Sequence, residues 1–196
     1  MSVGGFPQFV FGYHGCDRDS VGIPVLTGEK TLKFSHNYYD WLGEGIYFWE
    51  NAPYRAMEWA RSCQKNPKQT AGRIKNPFVL GAIIELGNCL NLTDLKQMDV
   101  LKEAFNIIEV SFKQKNWSLP KNDETKRALD CMVINTAVEM NKEKDYQGFD
   151  SVRGAYIEGE PVYPGACIQE KTHIQVCVRN INCIRGYFYP SEFISK

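Results

Sequence analysis

Three short stretches place polar or glycine residues in apolar, strand-like surroundings: residues 13–15 (YHG), 43–48 (GEGIYF) and 173–175 (HIQ). A glycine after a histidine lets a ligand approach the backbone closely, so Gly15 is suited to hold a planar carboxamide. Tyr47 could offer its ring face to a flat aromatic group, and His14 could donate a hydrogen bond to a ribose hydroxyl. Each feature alone has an ordinary structural explanation, but together they describe a nicotinamide-ribose pocket.

Strands and one helix must position these groups. The segment "FVFGYHG" (9–15) alternates and is rich in aromatic residues, which predicts a strand. The segment "GIYFW" (45–49) predicts a second, short strand, and apolar residues at helical spacing predict a helix over 52–64. Between the two strands, the glycines and polar groups of 17–40 predict a loop with a short helix.

The middle of the chain predicts a long buried strand over 77–92, then a helix that begins after residues 93–94 and another over roughly 124–140. The tail predicts three strands: 150–159, 173–180 and 183–190. Strands at both ends and helices between them, without regular βαβ alternation, indicate an α+β fold. We expect one domain over 1–196 with a helical insertion at about 93–145.

Composition restricts the classes of function. The chain has 196 residues, and its 23 basic and 23 acidic residues cancel, so no general attraction to duplex nucleic acid or to an anionic membrane is expected. The cysteines are scattered without a Cys-x-x-Cys pair and the three histidines are isolated, which argues against a zinc site. With no secretory leader or membrane-length apolar run, we expect a reduced, cytoplasmic protein with no membrane partner.

The stretch "YHGCDRDSVGIPVLTG", followed by "GEGIYFWENAPYRAMEWA", resembles the catalytic domain of the poly(ADP-ribose) polymerase group of ADP-ribosyltransferases. That family carries a His-Gly, then Gly-x-Gly-Ile-Tyr-Phe, then a helix, and "IIELGNCLNL" is similar to its strand ending in Glu-Leu-Gly. Residues 93–145 do not contribute to the resemblance. It implies an ADP-ribosyltransferase-like α+β fold with a split mixed sheet and flanking helices, and NAD as co-substrate without a metal.

The resemblance also implies roles for individual residues. His14 would hold the ribose hydroxyls of NAD, and Gly15 would bind the nicotinamide amide through its backbone. Tyr47 would stack on the nicotinamide ring. Gly43 and Gly45 would free the backbone beside that tyrosine and so admit the nicotinamide.

Two positions differ from the family where it contacts NAD. Lys30 stands where the family has an arginine near the adenosine-phosphate end, and a lysine keeps the charge but loses the fork geometry. Arg55 stands where the family has a serine that helps to grip the carboxamide. Either the grip differs in this chain, or Arg55 reaches a phosphate instead.

A third departure concerns the catalytic glutamate of the family, which opens a strand. The ungapped match puts Gln175 at that position, so His14, Tyr47 and Gln175 form the expected triad. Breaking the nicotinamide–ribose bond passes through an oxocarbenium-like state, which a carboxylate on the ribose 2′-hydroxyl stabilises. A glutamine can bond that hydroxyl but brings no charge and cannot act as a base. Single transfer is therefore expected rather than chain elongation.

Glu158 and Glu170 are alternative carboxylates for the third catalytic role. Glu158 and Glu160 form a Glu-x-Glu pair, a spacing similar to that of arginine-directed transferases, and Glu170 lies on the approach to the strand that carries Gln175. Prolines after the pair favour a presented loop over 157–172, where the family keeps its acceptor-recognition loop. A solvated loop position is the ordinary alternative for each carboxylate.

Together with these residues, the resemblance implies a mono-ADP-ribosyltransferase that moves ADP-ribose from NAD to a macromolecular acceptor, protein or nucleic acid, and releases nicotinamide. Two alternatives stay open. One is a binding module for NAD or ADP-ribose that kept the pocket and lost the carboxylate at position 175. The other is an NAD glycohydrolase, which needs only water as acceptor.

Overall fold

The computed structural model describes residues 9–70, 73–143 and 148–193, and these residues form seven strands joined in one mixed sheet. The strands are β1 (Phe9–Asp17), β2 (Ile46–Glu50), β3 (Pro77–Glu85), β4 (Cys89–Asn91), β5 (Ser151–Tyr156), β6 (His173–Val178) and β7 (Ile184–Phe188). Their order across the sheet is β4-β5-β6-β2-β1-β3-β7. The pair β4–β5 is parallel and the other neighbours are antiparallel. The predicted α+β class is confirmed.

Helices cover both faces of this sheet. They are α1 (Ile23–Leu26), α2 (Pro53–Lys65), α3 (Met98–Gln114) and α4 (Ala128–Glu143). Helix α2 begins at a proline, whose missing N–H and fixed φ suit the first helical position. Among the helices of the described residues, none combines the length and the apolar character that crossing a bilayer requires.

Two apolar clusters lie on opposite faces of the sheet, because successive strand residues point to opposite sides. On one face, Ile46, Phe48 and Leu80 pack with the segment around α1. On the other face, Leu90 and Val152 pack with α3 and α4. Helix α2 lies on this second face, where its Ala56 and Ala60 are fully buried. The predicted helical insertion thus covers the half of the sheet formed by β4, β5 and β6.

Strands β1 and β2 pair over a short distance and then separate. The ladder between them contains Gly12–Glu50 and Tyr13–Trp49. Strand β1 nevertheless continues along β3 as far as the Asp17–Pro77 pair, and β2 stays on β6 from Trp49 back to Ile46. Beyond Tyr13, each strand therefore keeps only its outer neighbour. We call the gap between residues 14–17 of β1 and residues 46–48 of β2 the β1–β2 split.

Asp17 holds the end of β1 on the β3 side of this split. One carboxylate oxygen accepts hydrogen bonds from the backbone N–H groups of Lys75 and Asn76, each at 2.8 Å. The other accepts from the backbone N–H and the hydroxyl of Ser20, at 3.0 and 2.8 Å. Although burial alone would raise it, these bonds hold the pKa of Asp17 well below its ordinary value. The end of β1 is thus tied to the loop before β3 and away from β2.

Two sequence predictions need correction in their boundaries. The single strand expected over 77–92 is two strands, because the chain turns at Gly87, which has φ +60°. An added Cβ at Gly87 would overlap the Asp150 carboxylate, which accepts a 2.9 Å hydrogen bond from the Asn88 N–H. Helix α4 starts four residues after the predicted 124, because Asp123 forms a local turn by accepting from the Lys126 N–H at 2.7 Å.

A candidate active site at the split between two strands

The imidazole of His14 reaches across the β1–β2 split. Its Nδ1 donates a 2.8 Å hydrogen bond to the carbonyl oxygen of Tyr47. Because a carbonyl oxygen only accepts, the neutral ring carries its proton on Nδ1 and keeps a lone pair on Nε2. Burial lowers the pKa of His14, and the bond to Tyr47 offsets this only in part. At neutral pH, the free Nε2 of His14 can therefore only accept a hydrogen bond, whereas the sequence suggested that the ring would donate one to a ribose hydroxyl.

The backbone of Gly15 faces the same gap. Along β1, the carbonyl of Phe11 accepts a 2.9 Å bond from the Asn51 N–H, and Tyr13 pairs with Trp49, so these odd-numbered residues direct their polar groups toward β2. By the same alternation, the N–H and C=O of Gly15 point toward β2 beyond the last pair of the ladder. This is a donor and an acceptor side by side, the pattern that a carboxamide matches.

The structure gives a packing reason for a glycine at position 15. A Cβ there would overlap the backbone oxygen of Ala56 and contact the Trp59 ring at 3.1 Å. Glycine was expected to let a ligand approach. Here it also lets helix α2 lie directly against β1, and that contact sets one wall of the site.

Tyr47 lies on the opposite face of the sheet from His14, on the side of α2, α3 and α4. Its hydroxyl donates to the Gly43 carbonyl at 2.6 Å and accepts from the Leu42 N–H at 2.8 Å. Burial is the main reason that its pKa lies well above the ordinary value of 10.0. The Tyr47 hydroxyl therefore stays protonated, and its hydrogen bonds are made within the protein. Only the half-buried ring is available to a ligand.

The two glycines before Tyr47 are also explained by packing. Gly43 has φ +75°, and a Cβ there would overlap the Asn135 side chain. At Gly45, with φ +151°, an added Cβ would overlap the Cys177 sulfur, and its N–H and C=O both bond to Ser35, at 3.1 and 2.8 Å. Gly45, expected to contact NAD, thus has its backbone groups engaged. The glycines fold the loop back onto the Tyr47 hydroxyl.

Gln175 lies on the same face as Tyr47. The register pairs Tyr47 with Cys177 and Trp49 with Gln175, and directly opposed residues share a face. The half-buried Gln175 places its Nε2 2.9 Å from Nε2 of His173, which lies two residues earlier on β6. Gln175, expected as the third member of the triad, is therefore an amide bonded to a buried histidine.

A charged cluster contacts His173, the histidine that bonds this amide. Arg55 contacts Glu58 at 2.5 Å and Glu158 at 2.9 Å, and Lys171 contacts Glu58 at 3.0 Å. Glu158 also lies 3.5 Å from Nδ1 of His173. Of the proposed alternative carboxylates, Glu158 thus approaches Gln175 through one intervening side chain. Arg55, expected to grip the carboxamide or a phosphate, is neutralised by two carboxylates and would have to leave one of them to hold a phosphate.

The other predicted residues lie farther from these contacts. Glu170 is exposed, and its N–H bonds to the Glu160 carbonyl in the short hairpin that residues 157–172 form through the Pro161–Gln169 bridge. Lys30 is exposed after α1, and its ammonium donates to the Ser20 carbonyl at 3.2 Å. Residues 157–172 thus form a loop, as predicted; within it Glu158 contacts Arg55 and His173, whereas Glu170 is exposed to solvent.

Two further residues at the site, Trp49 and His173, have no role predicted from the sequence. Trp49 is 7% exposed, lies opposite Gln175 and carries the Arg55 guanidinium 5.6 Å from its ring centroid. Among the described residues, its Nε1 and the Nε of Arg55 are buried without a hydrogen-bond partner. The available signal was strand periodicity, since His173 precedes Gln175 by two residues and so shares its face.

Comparisons with known proteins add one relative. The chain is 28% identical to an uncharacterized protein of the archaeon Methanocaldococcus jannaschii, over 192 aligned residues that cover 88% of this chain and 83% of that protein. No family model matches the chain, and no solved structure matches it. The similarity therefore extends over most of both chains, and the name of the relative carries no activity.

Proposed function

We propose that this protein is an NAD-dependent mono-ADP-ribosyltransferase whose substrate binds in the β1–β2 split. The observation that carries the proposal is the separation of the two strands directly after Tyr13. It leaves the Gly15 backbone pair and the His14 imidazole facing one gap, with the Tyr47 ring on the neighbouring strand. A carboxamide, a ribose hydroxyl and an aromatic ring are the chemical groups that match these three.

The reaction proposed here breaks the bond between the nicotinamide nitrogen and C1′ of its ribose. The electron pair leaves with nicotinamide, and a nucleophile of the acceptor then bonds to C1′ and loses its proton. Positive charge on the ribose builds up in the transition state, so hydrogen bonds that draw on the 2′-hydroxyl proton stabilise it. Gln175 supplies an amide oxygen for this purpose. Because an amide is neutral, we expect slow, single transfer.

A reader of NAD or ADP-ribose is the second candidate. The observation that favours it is the amide at position 175, bonded to His173 where the family has a carboxylate. Such a protein would use the same gap to bind the dinucleotide without cleaving it. Hydrolysis of NAD by water would be the third outcome of the same chemistry.

The test is incubation of the purified protein with NAD labelled in the adenylate phosphate, with and without cell lysate. Transfer predicts label in macromolecules together with nicotinamide release. For His14→Ala we expect at least a 100-fold loss of nicotinamide release, roughly the effect of removing one group that stabilises the transition state. The matched control is His36→Ala, since His36 is exposed and paired with Glu44 at 3.2 Å.

The outcomes separate the candidates. Label that resists nuclease and yields to protease identifies a protein acceptor, and the reverse identifies nucleic acid. Nicotinamide release without labelled macromolecules indicates hydrolysis. If NAD stays intact but binds in calorimetry, and the His14→Ala protein fails to bind, the reader is correct and the transferase is excluded.

A further inference from the structure

The hydrogen bonds of His173 determine which way the Gln175 amide faces. His173 is 6% exposed, and its Nδ1 lies 2.6 Å from the backbone oxygen of Lys171. A carbonyl oxygen has no proton to give, so Nδ1 must carry one. The neutral ring then has a bare Nε2, which can only accept. The Gln175 atom 2.9 Å from that nitrogen must therefore be the amide nitrogen, which donates to it.

This arrangement leaves the Gln175 oxygen free of the histidine. In transferase chemistry, the group at position 175 must accept a hydrogen bond from the ribose 2′-hydroxyl, because acceptance moves electron density toward the developing cation. An amide turned by 180° would present its NH2 instead, and a donor at that place would withdraw electron density. The orientation of a glutamine therefore matters here, whereas a carboxylate presents acceptors either way.

We propose that His173 is a positioning residue that, as the Nδ1-protonated neutral imidazole, holds the Gln175 amide with its oxygen toward the substrate. This inference rests on the proposed function for the identity of the substrate, but the orientation itself does not. It assigns a role to a histidine that would act on the substrate only through the glutamine it bonds, without contacting a reacting atom.

Protonation of His173 would reverse the orientation. A second proton on Nε2 makes that nitrogen a donor, so the amide must turn its oxygen to the ring. Charged and titratable groups from three elements surround the imidazole: Arg55 of α2, Glu158 and Lys171 of the hairpin, and Tyr156 of β5, with Glu58 of α2 behind Arg55 and Lys171. Burial and Arg55 lower the pKa of His173, while the Lys171 carbonyl and Glu158 raise it, and the net shift is downward. The productive orientation is thus expected at neutral pH and lost in acid.

The first arm of the test is independent of activity. Long-range proton–nitrogen correlation spectra of the full chain at pH 7.5 distinguish the two neutral tautomers of each histidine, and His173→Gln identifies the signal of His173. We expect the Nδ1-protonated form, with a Gln175 amide proton bonded to Nε2. An Nε2-protonated form, or a charged ring at pH 7.5, would overturn the proposal.

The second arm measures nicotinamide release from NAD. His173→Phe keeps the ring shape and removes the acceptor, so we expect kcat to fall about 10-fold, the typical effect of one hydrogen bond, with KM for NAD changed less than about twofold. His173→Gln restores an acceptor oxygen at a similar distance and should recover most of kcat. Because glutamine does not titrate, the part of the decrease in kcat at acid pH that His173 causes should be missing from its pH profile. His36→Gln is the control, and its pH profile should match that of the wild type.

The two arms separate this inference from the proposed function. Wild-type kcat in a folded His173→Phe protein would refute positioning while leaving the transferase intact. The expected tautomer in a protein that never releases nicotinamide would refute the transferase and leave the amide orientation standing. If His173→Phe does not fold, His173→Asn takes its place, because Asn can still bond the Lys171 carbonyl but is too short to reach Gln175.

Discussion

The two sides of the candidate site, one on β1 and the other on β6, are built in different ways. On the β1 side, Gly15 offers backbone groups, and the wall is set by a close helix contact and by the Asp17 carboxylate. On the β6 side, Gln175 and His173 present side-chain groups next to a cluster of two cations and two carboxylates. The geometry of the β1 side depends on close packing of the backbone, whereas that of the β6 side depends on side chains that can be replaced. Substitutions at Gly15 and Asp17 should therefore damage the fold, whereas substitutions at Gln175 and His173 should damage the chemistry.

The largest expected effect belongs to the β1 side. Gly15→Ala puts a methyl group onto the Ala56 carbonyl oxygen, and backbone in a helix cannot move aside. We expect the free energy of unfolding to fall by about 3 kcal/mol, the upper part of the range for overpacking. Urea denaturation measures it.

The matched control for that change is Gly186→Ala. An added Cβ at Gly186 meets nothing within 4 Å, and the residue lies in β7. Alanine there should be neutral or stabilise the protein by about 0.5 kcal/mol, because it reduces the freedom of the unfolded chain. Equal losses in the two variants would mean that the α2 contact does not require glycine at position 15.

Asp17→Asn tests the anchor at the end of β1. Both oxygens of Asp17 accept hydrogen bonds from N–H groups. In either orientation of an asparagine, its NH2 would therefore face N–H donors instead of accepting from them. We expect a loss of about 2 kcal/mol at pH 7, in the range for hydrogen bonds to a charged group. Urea denaturation of the two proteins at pH 7 gives this difference.

The same substitution has a defined pH dependence. The folded pKa of Asp17 lies below its unfolded value of about 3.9, so its contribution is fully present above about pH 4. That contribution is lost as the pH falls through the lower folded pKa. The difference between wild type and Asp17→Asn should therefore shrink in acid. A difference that stays constant from pH 7 to pH 2.5 would contradict the depressed pKa.

Gln175→Glu tests the β6 side. If NAD is the substrate, a carboxylate beside the ribose 2′-hydroxyl should raise kcat for nicotinamide release by about 10-fold, since charge stabilises the oxocarbenium-like state better than an amide does. Stability should change little compared with Gly15→Ala. Nicotinamide release and urea denaturation on the same protein give both values. A slower enzyme would show that another group, with Glu158 as the first candidate, supplies the charge.

The smallest effect is expected for Arg55→Met. Removing the guanidinium leaves Glu58 and Glu158 without their shared partner, but Glu58 is 43% exposed in its side chain and water can solvate it. We expect a loss of about 1 kcal/mol in unfolding free energy. Arg61→Met, an exposed position on the same helix, should change stability by less than about 0.5 kcal/mol. A loss as large as that of Gly15→Ala would remove the contrast between the two sides.

Local patterns were enough to predict most of the elements. Alternation in 9–15 and helical spacing in 52–64 identified β1 and α2 within two residues, because side-chain periodicity depends only on the local chain. The strand predicted over 77–92 failed at Gly87. The turn there depends on Asp150, 63 residues later, and no local pattern reports that contact.

The same distinction between local patterns and long-range contacts holds for the candidate site. His14, Gly15 and Tyr47 stand in two contiguous motifs, so their residue types and the strands that carry them could be recognised from the sequence alone. Three things depended on the tertiary structure: where β1 leaves β2, that His14 bonds the Tyr47 carbonyl, and that Arg55 and Glu158 meet beside His173. The physical reason is the separation along the chain over which each interaction acts. Periodicity and turn chemistry act over a few neighbouring residues, whereas the His14–Tyr47 bond and the Arg55–Glu158 pair join groups 33 and 103 positions apart, which meet only once the sheet has fixed its register.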